Sequence, residues 1–127
     1  MEAEYPFSQG QNWGVLDRAA LLARVEGDVE LLLEIVELFL TDSSHQLAEI
    51  RDSAARRDAK ALEKAAHGLK GALGNFSVQA AYDAALRLEM IGRSGDLNKA
   101  DEALINLEEE IERLRSALEA LTKECRV

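Results

Sequence analysis

Eight apolar positions near the end of the chain, Leu97, Ala100, Leu104, Leu107, Ile111, Leu114, Leu118 and Leu121, recur strictly at intervals of three and four residues. That spacing holds for a long helix with one continuous apolar seam, and not for a strand. A seam of this kind cannot be buried by its own helix, so it needs neighbours: a coiled-coil partner or a helical bundle. The rest of the chain offers such neighbours. The only proline is Pro6, so nothing from Val15 onward forbids long helices. Leu, Ala, Glu, Lys and Arg dominate that stretch, all good helix formers.

Helix boundaries follow from caps and glycines. Asp17 is a candidate N-cap for a short helix to about Glu26, stopped by Gly27. A long helix is expected after Asp28, with Leu32, Ile35, Val36, Phe39, Leu40, Leu47, Ile50 and Ala54 inward and Glu30, Glu34, Glu37 and Thr41 outward. Asp58 caps the next, in which Leu62, Ala65, Ala66, Leu69, Leu73 and Phe76 recur at helical spacing, with a break at Asn75 and Ser77. Val78, Ala81, Ala85, Leu88 and Ile91 carry another, stopped by Gly92 to Gly95. Connections of a few residues make neighbouring helices antiparallel. The expectation is all-α: an antiparallel up-and-down four-helix bundle over residues 15–124 with a short extra N-terminal helix. Residues 1–14 form a polar tail containing Tyr5, Phe7 and Trp13. Leu107 and Ile111 should be buried against the helices of Val36 and Leu69.

Composition narrows the function classes. Twenty-four acidic residues against 15 basic give a net charge of −9, which disfavours binding to a phosphate backbone, so no nucleic acid partner is expected. Glu2 and Glu4 interrupt any leader-like start, and no segment is long and apolar enough for a membrane helix. A cytoplasmic monomer is the default, and the lone Cys125 fits a reducing compartment. No glycine-rich nucleotide loop and no aspartate cluster for Mg²⁺ is present, so self-phosphorylation from ATP is not expected.

One face of the Asp58–Phe76 helix carries a reactive pattern. With Leu62 at zero and roughly 100° per residue, His67 falls at about 140°, Gly71 near 180°, Gly74 near 120° and Lys70 near 80°. Lys60 and Lys64 lie on the same outward half. An imidazole thus faces solvent among three ammonium groups and two missing side chains. Each glycine costs roughly 0.5–1 kcal/mol against alanine in a helix, so a purely structural face would avoid both. Gly71, one turn past His67, leaves room for another surface, and Lys70 can reach an oxyanion on the imidazole. Neutral imidazole is a good nucleophile. Nucleophile, charge compensation and space for in-line approach suit phosphoryl transfer to and from nitrogen. The alternative is a solvated surface histidine, as His45, with Asp42 and Glu49 at helical spacing, is read. The two histidines share no ligand spacing, and Glu108-Glu109-Glu110 reads as a solvated face, so no metal site is expected.

Ala66-His67-Gly68-Leu69-Lys70-Gly71, continued by Ala72-Leu73-Gly74-Asn75-Phe76, resembles the motif of histidine-containing phosphotransfer (HPt) domains. The resemblance extends from about Val15 to Leu121. It implies that His67 accepts the phosphoryl group, that Lys70 stabilises it and that Gly71 leaves space for a docking receiver domain. It places Glu89 opposite the histidine, where a carboxylate either repels a phosphoryl group or orients the imidazole. The function implied is a phosphorelay intermediate that takes a phosphoryl group from a receiver aspartate and passes it to another receiver. It would be a phosphocarrier with no cofactor of its own, the Mg²⁺ belonging to the response-regulator receiver, with a hybrid histidine kinase upstream. Two other readings stay open: the phosphotransfer module of a chemotaxis-type kinase, and a non-catalytic helical adaptor pairing through the Leu97–Leu121 seam.

Overall fold

The computed structural model describes residues 16–76 and 78–125; the tail expected over 1–14, Ser77 of the expected break, and the last two residues lie outside the described residues. Among the described residues five α-helices follow one another: α1 (Arg18–Arg24), α2 (Val29–Ala55), α3 (Ala59–Leu73), α4 (Gln79–Ser94) and α5 (Ala100–Cys125), with a 3₁₀ turn, Gly74–Phe76, after α3. No strand occurs among the described residues.

The same local device starts three of the helices. Asp17, Asp28 and Asp58 have extended backbones, and their carboxylates accept from the amides of Ala20, Leu31 and Ala61 at 3.0, 3.1 and 3.1 Å. Each satisfies a first-turn amide and places negative charge at the positive end of the helix dipole. Val78, at the start of α4, offers no such side chain.

Helices α2 to α5 form an antiparallel bundle. Arg51 pairs with Glu108, Arg57 with Asp101 at 3.2 Å, and Arg115 donates to the Leu40 carbonyl at 3.2 Å, so α2 and α5 run in opposite directions. Arg93–Glu63 and His67–Glu89 contacts establish the same for α3 and α4. Leu62, Leu69, Leu73, Leu88, Leu107, Ile111, Leu114 and Leu118 are fully buried in one shared core. Phe39 and Phe76 meet edge to face, ring centroids 4.9 Å apart, where α2 passes the 3₁₀ turn. Helix α1 lies across one end, tied by Arg18 to Glu124 and by Arg24 to the Gly74 carbonyl.

Several expectations need correction. Leu107 and Ile111 are buried as expected, but α5 packs chiefly on α2 and α4; α3, which carries Leu69, stands diagonally across from it. α1 ends at Arg24, two residues early, because Glu26 and Gly27 take left-handed φ values of 55° and 80° to turn the chain into Asp28. α5 begins at Ala100, leaving Leu97 in the preceding turn. Gly92 does not stop α4. It lies buried within the helix, and Gly95, at φ 81°, ends it. A Cβ at position 92 would come within 2.6 Å of the Glu63 amide nitrogen and 2.8 Å of the Ala59 carbonyl oxygen. This glycine lets the α3 and α4 backbones touch. Most of the α5 seam through which a helical adaptor would pair is spent on the core.

Candidate functional site

The α3–α4 contact is the most extensive in the bundle, and Gly92 draws the two backbones together at one end of it. Toward the middle of the contact stand the two central groups of the candidate site: His67, four residues past Glu63, and Glu89, three before Gly92. His67 projects outward with 67% of its side chain exposed, as its angular position requires. Opposite it on α4 is Glu89, only 3% exposed. Its Oε2 lies 3.0 Å from His67 Nδ1 and 2.8 Å from an Arg93 guanidinium nitrogen, and its Oε1 lies 2.8 Å from Lys70 Nζ. Arg93 also donates through Nε to Glu63 at 3.0 Å. One carboxylate is therefore shared among an imidazole, an ammonium and a guanidinium.

The electrostatics of Glu89 follow from these partners. The Lys70 ammonium holds its carboxyl below the ordinary glutamate value, the imidazole contact acts in the same direction, and burial opposes both. Glu89 is thus ionised, and an ionised carboxylate only accepts hydrogen bonds. The hydrogen between it and His67 must then sit on Nδ1. The lone pair of the neutral ring is left on the outward Nε2.

Most of the expected site residues come together. Lys64 shares with His67, Glu89, Arg93, Lys60 and Glu63 a shallow surface hollow of ≈ 340 Å³, ample for a phosphoryl group. Gly71 and Gly74 are exposed, with nothing within 4 Å of a Cβ added at either, so that stretch of α3 presents bare backbone. Lys70 sits differently from its sequence reading: it is 18% exposed and its ammonium is directed to Glu89. His45 is exposed on α2, as are Asp42 and Glu49. Glu108 and Glu110 are taken up by Arg51 and Arg113. Cys125 is a half-buried thiol at the last helical position.

Sequence reasoning missed Arg93 and Glu63. Arg93 lies four residues after Glu89 and Glu63 four before His67, helical spacings at which side chains meet, and that signal was available. Their joining across two helices depends on register, which is not local. Gly92 was missed as a contact because a glycine near a helix end reads first as a stop.

A four-helix bundle bearing one exposed, carboxylate-oriented histidine beside glycines is the architecture of a phosphotransfer module. The family model of the Hpt domain matches residues 34–117, and the chain belongs to that family. It is a histidine phosphotransfer protein of the phosphorelay type, a phosphocarrier that works with receiver domains and kinases. Among solved structures it is similar to histidine-containing phosphotransfer protein B (HptB) from Pseudomonas aeruginosa PAO1, with a TM-score of 0.80 and 24% identity over 86% of this chain and 95% of that one. At that identity the likeness is one of fold. No curated protein sequence matches the chain. Among the described residues, no helix is long and apolar enough to cross a membrane.

Proposed function

We propose that His67 is the phosphoacceptor and that its Nε2 is the atom that forms the bond to phosphorus. The contact between Glu89 and Nδ1 carries this reading, because it leaves the outward nitrogen with the lone pair. In the forward step Nε2 attacks the phosphorus of a receiver's aspartyl phosphate. The N–P bond forms, the P–O bond to the acyl oxygen breaks, and the aspartate leaves as a carboxylate. No proton need be lost: the ring keeps its Nδ1 hydrogen and becomes cationic, and Glu89 stabilises that charge across 3.0 Å. Reversal onto a second receiver's aspartate uses the same contacts.

The remaining residues serve approach and orientation. Gly71 and Gly74, one and two turns past His67, leave bare backbone along the same stretch of α3, so a receiver can settle close enough for in-line attack. Lys70 and Arg93 fix the Glu89 carboxylate and so the ring plane. On this reading the step needs no nucleotide or metal from this chain, and the Mg²⁺ belongs to the receiver. The upstream donor is a hybrid histidine kinase, and the protein acts as a cytoplasmic monomer. The test is phosphoryl transfer from a phosphorylated receiver to wild type and to His67→Gln. Wild type should be labelled and the variant blank, with little change in thermal stability because the side chain is exposed. Undiminished labelling of His67→Gln would remove the assignment.

A further inference from the structure

Four cationic side chains of α3 and α4 surround His67, and they divide into two kinds. Lys70 and Arg93 are engaged: the first lies 2.8 Å from Glu89, the second bridges Glu89 at 2.8 Å and Glu63 at 3.0 Å. Lys60 and Lys64 are exposed, border the same hollow as His67, and have no ion-pair or hydrogen-bond partner among the described residues. Helical side chains lean toward the N-terminus, so the His67 ring lies over the turn that carries Glu63 and Lys64. A group on Nε2 therefore enters a hollow whose uncommitted charges are two ammonium groups. The carboxylates facing that hollow, Glu63 and Glu89, are already neutralised by Arg93 and Lys70.

Resting on the assignment of His67 as phosphoacceptor, we infer that Lys64, backed by Lys60 one turn away, meets the charge of the phosphoryl group, while Lys70 serves the site only through Glu89. Moving Lys70 to the phosphoryl oxygens would break a contact with a carboxylate that is 3% exposed; moving Lys64 breaks none. A flexible four-carbon stem suits Lys64 to the task. Its other neighbours, across a second hollow, are Glu49 and Asp52 of α2 and Arg56 just past its end, and it is paired with neither acid.

The inference is tested by phosphorylating the whole chain with phosphoramidate, which exchanges its P–N bond for one to His67 and releases ammonia. The ³¹P resonance of the product is then followed against pH. A cation close to the phosphoryl group lowers the midpoint of its last ionisation. Lys64→Gln should raise that midpoint by about half a pH unit, as expected for one charge some 5 Å away in water-like surroundings. Lys60→Gln with Lys64→Gln should raise it further, and Lys64→Arg should restore it. Lys70→Gln should move it less than Lys64→Gln does, while shifting the ¹⁵N resonance of Nδ1, which Lys64→Gln leaves in place. A larger midpoint shift in Lys70→Gln than in the Lys60/Lys64 double variant overturns the inference and leaves His67 as acceptor. Absence of a His67 phosphoramidate signal in wild type overturns both.

Discussion

The α2–α5 and α3–α4 seams are both antiparallel and both crossed by charged side chains, yet they are built to different ends. Across α2–α5, Arg51 meets Glu108 and Arg57 meets Asp101 one to one, with the arginines more than half exposed. Such pairs are screened by water and contribute between nothing and about 1 kcal/mol. Across α3–α4 a single buried carboxylate serves three donors, and a glycine brings the backbones into contact beside it. The first seam holds helices together by its apolar residues and decorates the edge with charge. The second spends a buried charge to fix an imidazole. Ion pairs of similar length therefore carry unlike roles, and burial separates them.

The comparison breaks most sharply at Gly92. Gly92→Val should cost roughly 1–3 kcal/mol through forced backbone separation, and even Gly92→Ala should destabilise, although alanine is the better helix former by about 1 kcal/mol. Denaturant unfolding reads the loss, and transfer to His67 should slow in step as Glu89 is carried away from it. Glu89→Ala comes next. It leaves Lys70 without its partner and frees the ring, at about 1–2 kcal/mol and about a tenfold slower transfer. Glu89→Gln should recover part of the rate, because its carbonyl still accepts from Nδ1. Arg51→Ala, on the other seam, should change stability by less than about 0.5 kcal/mol and leave transfer unchanged.

The α3–α4 seam also responds to acid. The Glu89 carboxyl sits below its ordinary value of 4.5 in the folded protein, so the unfolded chain binds that proton more readily. The stability it contributes is whole above that value and is lost as pH falls through the lower folded value. Wild type should therefore lose more stability than Glu89→Gln between neutral pH and that acid window, measured by thermal unfolding at a series of pH values.

Much of this was legible in the sequence because it is local. The caps at Asp17, Asp28 and Asp58 act within three residues, and the α5 seam is a periodicity along one helix. The outward face of His67 follows from angular position alone. What could not be read depends on which residues two helices bring face to face. Lys70 lies at the border between core and solvent, free on the wheel to turn either way, and the register of α4 turns it to Glu89. The Glu63–Arg93 bridge and the intimate contact at Gly92 arise from the same register.

In the proposed mechanism Glu89 holds the hydrogen of His67 on Nδ1 and so makes Nε2 the atom of transfer. After transfer from a phosphorylated receiver, ¹⁵N-edited NMR of the intact phosphoprotein, with mass-spectrometric mapping of the same sample, identifies the phosphorylated nitrogen. A single phosphohistidine is expected, at position 67 and bonded through Nε2. Phosphate on Nδ1 of His67, or on His45, would contradict it.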